Sequence, residues 1–250
     1  MADGNTKWSA DHVRITLFSS VIWPEDPSIV VRALTGGEPA ETGSRPVMSE
    51  RVASAPLDAR RRIEIKFTMN RMDCVVQPRL DVMPESIPPV LFDAVEEIRD
   101  LARRLEAWLS GQQMPIYRVA IGGGALFPVA DRDAGYRKLA ELLSFVNLDS
   151  SRHKDFQLRV NTPLASALIP DLQINALATW ASIFVNASMF DGTAPTTGIA
   201  LNTIQNSYVQ SILDVNTDAD RNQPIPREKI VGVISELASV CDNILNKGMQ

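Results

Sequence analysis

Cysteine is nearly absent from this 250-residue chain: Cys74 and Cys241 stand far apart, outside any C-x-x-C spacing. That excludes a disulfide framework and a thiolate zinc site. Histidine is equally scarce, with only His12 and His153 and no H-x-x-x-H spacing, so the zincin pattern is missing too. There is no Gly-Lys-Ser/Thr and no G-x-S-x-G elbow. Aromatics make up 6%, and lysine is outnumbered by arginine, 6 to 19, a bias that a GC-rich genome explains as readily as function. The longest apolar stretch, 176–190, is broken by Thr179, Ser182, Asn186 and Ser188 and is too short to cross a bilayer as a helix. Residues 1–8 are polar and show no apolar signal core, so a cytoplasmic protein is expected, and the Asn186-Ala187-Ser188 sequon carries little weight.

What is present is ordinary globular composition, 45% hydrophobic and 22% charged. A chain of this size buries roughly three quarters of its unfolded surface and needs no staple. The net charge of -5 argues against nucleic-acid binding, which requires a basic field. Arg60-Arg61-Arg62, with Arg51 and Lys66 nearby, is the local exception; at the start of a strand it reads as a solvated edge.

Hydrophobic period sets the elements. Val13, Ile15 and Leu17 alternate with Arg14 and Thr16, which predicts a strand ending before Pro24. Residues 25–59 are rich in Gly and Pro; a short strand is expected around 29–34 and a flexible loop over 35–59. Ile63, Ile65 and Phe67 alternate, and a link at 70–73 predicts a hairpin with 74–82. Leu91, Val95, Ile98, Ala102, Leu105 and Leu109 predict a helix over 90–109. A strand is expected from 115 to 128, a helix over 134–145, and extended segments at 156–160, 172–189 and 198–215. Pro226 opens a final helix striped by Ile230, Val233, Ile234, Leu237, Val240, Cys241, Ile244 and Leu245.

The implied class is α+β, antiparallel sheets with amphipathic helices packed on one face. Strand, strand, helix recurs at 62–110 and 172–247, which suggests a duplicated ββα unit, with an N-terminal half at 1–112 and a C-terminal half at 113–250, either as two units or as one two-lobed domain.

Candidate chemistry is thin. Gly122-Gly123-Gly124 follows a strand, but contiguous glycines with no helix start behind them read as a bulge or close backbone packing, not a phosphate loop. The acidic run 214–222 places oxygen ligands at alternate positions like the start of a calcium loop, but Ala219 stands where glycine is needed and Ile225 where a bidentate Glu is needed. A polar strand-end loop is the better account of Asp214 to Asp220. His12 adjoins Asp11, His153 lies in a charged linker, and Cys241 lies on the apolar stripe of the last helix. No residue is therefore assigned a catalytic, cofactor-binding or metal role, and no cofactor is expected.

The run Tyr117-Arg118-Val119-Ala120-Ile121, the strand ending Ser211-Ile212-Leu213-Asp214-Val215-Asn216, and the closing helix 236–245 together resemble a sporadically distributed family of uncharacterised prokaryotic proteins of similar length. The resemblance covers mainly the C-terminal half, matches Asp214 and Asn243, and implies no activity; patchy distribution implies a defence-linked or mobile-element context. The function expected is a non-enzymatic binding or regulatory protein acting through a protein partner, with the acidic charge suiting a basic one. The alternatives are an enzyme with a site assembled from His12, Cys74 or Asp214–Asp220, and a subunit that self-associates into homo-oligomers through a strand edge or Trp180 and Phe184.

Overall fold

A computed structural model describes residues 7–81, 86–91, 93–190 and 200–249. Its centre is a nine-stranded antiparallel sheet in the order β2-β3-β4-β5-β1-β6-β9-β8-β7. The strands are β1 (Ser9–Ser19), β2 (Glu41–Arg45), β3 (Glu50–Pro56), β4 (Arg61–Thr68), β5 (Arg71–Pro78), β6 (Ile116–Val129), β7 (Gln157–Ala165), β8 (Gln173–Phe190) and β9 (Ala200–Thr217). The helices are α1 (Pro27–Thr35), α2 (Ala94–Leu109), α3 (Arg132–Leu142) and α4 (Ile230–Lys247). The α+β class is therefore as the period-two and period-3.6 patterns imply.

All four helices pack on one face. Val13, Ile15 and Leu17 of β1 and Ile63, Ile65 and Phe67 of β4 point into that layer and are buried, as the alternation requires. The α4 stripe is buried as predicted, with Ala238 joining it and Val240 left partly buried beside it. In α2 the buried line is Ala94, Ile98, Leu101, Leu105 and Trp108, while Val95 and Ala102 flank it. Two aromatic groups anchor the layer. Trp23 stacks on Phe67 (5.5 Å) and Trp108 (6.1 Å), and Trp8 meets Phe127 (5.3 Å) and Trp180 (5.9 Å).

Residues 25–59 depart from expectation. The segment around 29–34 is a helix, not a strand: β-branched Ile29, Val30 and Val31 favour extension, but the end signals override them. Asp26 caps by accepting from the Ser28 N–H (2.8 Å), Pro27 takes the first turn, and Gly36 closes it at φ 74°. Residues 41–56, expected as flexible loop, form the β2–β3 hairpin, in register with β4 from Glu50↔Thr68 to Pro56↔Arg62. Its buried residues are Ala53, Ser54 and Ala55, too small to register as an apolar alternation. The hairpin also makes β4 an interior strand, so the arginine run is no sheet edge.

Strand, strand, helix occurs at both expected places, as β4-β5-α2 and β8-β9-α4, but each is the last part of a longer order. With β2 set aside, the order that recurs is strand, helix, three strands, helix, first from β1 to α2 and then from β6 to α4. The sheet order mirrors about the β1/β6 pair, where Ile15 faces Ile121. One sheet and one hydrophobic core run through both halves.

Candidate binding face

Residues directly opposite one another in an antiparallel sheet share a face. The register therefore assigns the face turned away from the helices. Arg71, Phe18 and Arg118 lie side by side on β5, β1 and β6; the next row is Asp73, Thr16, Ala120 and Asn216, and the next Val75, Arg14, Gly122 and Asp214. The four central strands thus bring three guanidinium groups and two carboxylates to one uncovered surface around an aromatic ring.

Their bonding is uneven. Asp73 Oδ1 accepts from Thr16 Oγ1 (2.6 Å) and from Arg71 Nε and Nη2 (3.0 and 2.8 Å). Arg71 and Arg118 flank Phe18, their guanidinium carbons 5.7 and 5.1 Å from the ring centre, within cation–π range. Arg118 Nη2 donates to Asn216 Oδ1 (2.9 Å), and Asn216 Nδ2 donates to Asp214 Oδ1 (3.0 Å). Arg14 stands apart. It approaches Asp73 only to 3.9 Å and makes no hydrogen bond among the described residues, although its Nε is buried; Arg118 Nε is buried and unpartnered as well.

The three glycines explain how Arg14 lies down. A bulge between Ala10 and His12 breaks the β1 register opposite Gly124. A Cβ on Gly122 would come within 3.0 Å of Arg14 Nη2, and one on Gly124 within 2.5 Å of the Asp11 carboxylate. Small residues along β6 thus leave a furrow between the side chains of β1 and β9, into which Arg14 and Asp11 lean. At one end the segment Ser86–Val90 crosses the face, Ile87 O accepting from Asn206 Nδ2 (3.0 Å) and Tyr208 Oη (3.3 Å). The glycine run is therefore packing and bulge, not a phosphate loop.

The other sequence candidates are not brought together. Cys74 is buried on the helix-side face, opposite the face that carries Asp214, and burial pushes its thiol and that of Cys241 well above the ordinary value. His12 Nδ1 pairs with Asp11 Oδ1 (2.6 Å), while His153 Nδ1 accepts from the Asp149 N–H (3.0 Å) in a distant turn. Asp214 and Asn216 bond to each other along a strand, and Asp218 caps its own turn through the Asp220 N–H (3.1 Å), so these oxygens are engaged within the strand and within the turn. Among the described residues no group of three His, Cys, Asp or Glu could hold a metal ion. Asn243 is exposed on α4, on the helix side. Trp180 is fully buried and unavailable for self-association, whereas Phe184 is exposed.

The arginine run is a clamp. Arg61 points to the helix side and donates to Asp58 (2.6 Å), Glu97 (2.8 Å) and Asp100 (3.2 Å), tying β4 to α2. Arg62 points to the open face and reaches Glu41 (3.0 Å) and Ser54 (2.7 Å). Partial burial raises the pKa of Asp58 and Asp100, but hydrogen bonds from the Arg60, Arg61 and Arg104 neighbourhood outweigh it, leaving both below the ordinary 3.8. A depressed carboxylate adds stability that is complete above its unfolded value and lost as pH falls through its folded one. The melting temperature should therefore hold down to about pH 4 and drop below it. Arg61→Met should flatten that acid slope; an unchanged slope would exclude the clamp as its source.

A cleft of about 400 Å³ beside Trp8 is lined with charge, but its charges are paired, Lys7 with Asp93 (2.8 Å) and Arg99 with Asp242 (2.7 Å). No helix is long and apolar enough to cross a membrane among the described residues. The chain matches no family model and no curated protein. Fold and face together define an α+β protein with one helix-covered sheet face and one open, arginine-bearing face.

Sequence patterning does not group Arg14, Phe18 and Arg71. Arg14 alternates with the inward Val13 and Ile15, whereas Arg71 falls in the link expected at 70–73 and is in fact the first residue of β5. Only strand order, which pairs residues far apart in the chain, places them together.

Proposed function

We propose that this is a non-enzymatic binding or regulatory protein that acts through a protein partner. The observation that carries the reading is an apolar crest at one end of the sheet. Val21 and Ile22 follow β1, Val47 and Met48 cap the β2–β3 hairpin, and Met69 sits in the β4–β5 turn; all five are exposed, Ile22 at 69% and Met69 at 60%. The loops are held together rather than splayed. Trp23 N donates to Met69 O (3.4 Å), Arg51 Nη1 donates to Glu25 O (2.8 Å), and Arg51 Nη2 donates to Trp23 O.

Exposed apolar side chains gathered at one end of the sheet, on loops that bond to one another, favour an interaction surface over ordinary scatter. Methionine, arginine and aromatic residues are the types enriched at such surfaces, and the crest borders the Arg71–Phe18–Arg118 row directly. The net charge of -5 favours a basic partner at long range. Ile22→Asp combined with Met48→Asp should abolish stoichiometric co-purification of the partner from native cells, a loss of more than tenfold, since hot-spot residues dominate such contacts. Retention of the complex by the double variant, or a lone monomer from wild-type cells, would overturn the reading.

A further inference from the structure

We infer that the partner contributes an extended segment that adds to the sheet as a further strand, along the free edge of β2. This rests on the protein-partner reading above and names the backbone chemistry of the contact.

β2 ends the sheet and pairs only with β3, from Glu41↔Ser54 to Arg45↔Glu50. Neighbouring residues of a strand turn their N–H and C=O groups to opposite sides, so about half of those on β2 face outward and find no strand. The ligand that matches such a row is another extended backbone.

The two edges of the sheet differ in how they guard against that pairing. At the far edge β7 carries Pro163, which has no N–H to offer, and the exposed Arg159. The middle of β2 carries neither device: Thr42, Gly43 and Ser44 are small and exposed. Its flanking charges are turned back onto the sheet. Glu41 accepts from Arg62 Nη2 (3.0 Å) and Ser54 Oγ (3.3 Å), and Arg45 pairs with Glu50 (3.6 Å). The helix layer also stops short of the edge, with α1 packed over β3 and β4.

This edge is continuous with the apolar crest. β2 runs directly into Val47 and Met48 at the hairpin tip, 101% and 57% exposed. A strand laid along the five residues of β2 covers about 17 Å, and its next residue lies beside those two side chains. The segment is therefore extended over about five residues and apolar at the end that reaches Met48. Backbone hydrogen bonds supply its affinity, and the apolar residue fixes its direction and register.

Dodecapeptides selected from a random library on the immobilised full-length chain are the probe. A winning peptide is resynthesised with one backbone N-methyl group at each position in turn. The expected result is a period-two loss of about tenfold or more, because only alternate N–H groups of the added strand face β2. Amide hydrogen exchange at 41–45 should slow in the complex, and Met48→Asp should weaken the peptide about tenfold. Thr42→Pro and Gly43→Pro give the complementary measurement. One removes an N–H from the β2–β3 ladder and should lower the melting temperature; the other removes an outward N–H and should not. The tolerated variant should lose the peptide. The N-methyl scan leaves the protein unaltered, so it decides the matter even where both proline variants unfold.

Winners without a period-two loss, or none that protects 41–45, would overturn the inference. So would a homodimer of the chain alone that the tolerated proline dissociates, which would give the edge to a second copy. The two readings fail separately. If natural-partner capture survives the tolerated proline but not Ile22→Asp with Met48→Asp, the added-strand inference falls and the partner reading stands. If capture survives both, the partner reading falls.

Discussion

Gly123→Ala is expected to destabilise the protein by about 3 kcal/mol or to prevent folding, while its neighbours tolerate the same change far better. The three glycines look equivalent in sequence and are not equivalent in space. A Cβ on Gly123 would sit 2.5 Å from the His12 carbonyl oxygen and 3.3 Å from Val13 Cα, both backbone atoms of the central strand pair. Neither can move without parting β1 from β6. On Gly124 the obstacle is the Asp11 carboxylate, which can swing away at the cost of its His12 contact. On Gly122 it is chiefly Arg14 Nη2 at 3.0 Å, the mobile end of a long side chain. Urea denaturation of the three alanine variants should therefore give one severe and two modest losses. Equal losses at all three positions would mean that β6 does not approach β1 as described.

Trp23→Ala should cost about 4 kcal/mol, the range for deleting a large buried aromatic. Trp23 is 1% exposed and joins three parts of the fold: its own loop, Phe67 of β4 (5.5 Å, near-parallel) and Trp108 of α2 (6.1 Å). The stacked contacts add to the burial that is lost. Trp23→Phe should cost much less, because the indole N–H has no partner among the described residues and its removal forfeits no hydrogen bond. Chemical denaturation of the two variants gives the ratio directly. A cost for Trp23→Phe close to that for alanine would show that the indole is held by a polar contact instead. Because Trp23 follows Ile22 immediately, the alanine variant should also lose the partner, even under conditions where it remains folded.

The sequence reveals the elements wherever large apolar residues mark a period: β1, β4, α2 and α4 could be read from Ile15, Phe67, Leu105 and Leu237. It hides them where burial is achieved with small residues, as in Ala53–Ser54–Ala55 of β3, or where end signals overrule side-chain preference, as between Asp26 and Gly36. The open face was harder to read for a different reason. Arg14, Arg71 and Arg118 are each unremarkable outward-facing residues of a strand, and their convergence depends on β1 lying between β5 and β6. No local pattern encodes that order. The glycine run could be read as packing from its spacing alone, but which of its members is irreplaceable depends on the carbonyl of His12, a residue far upstream.

The pairing of β1 with β6 also bears on how the chain reaches this state. β1 emerges first during synthesis, yet its Ile15 must wait for Ile121, and β6 in turn waits for Val215 of β9. Contacts this distant in sequence close large loops before they return any stabilisation, so folding should be slow for a domain of this size. Until β6 arrives, one margin of β1 has unpaired backbone groups beside Ile15 and Leu17, the kind of exposed template that draws other chains. Yield of native protein should therefore depend on expression rate and temperature more steeply than the finished core would suggest.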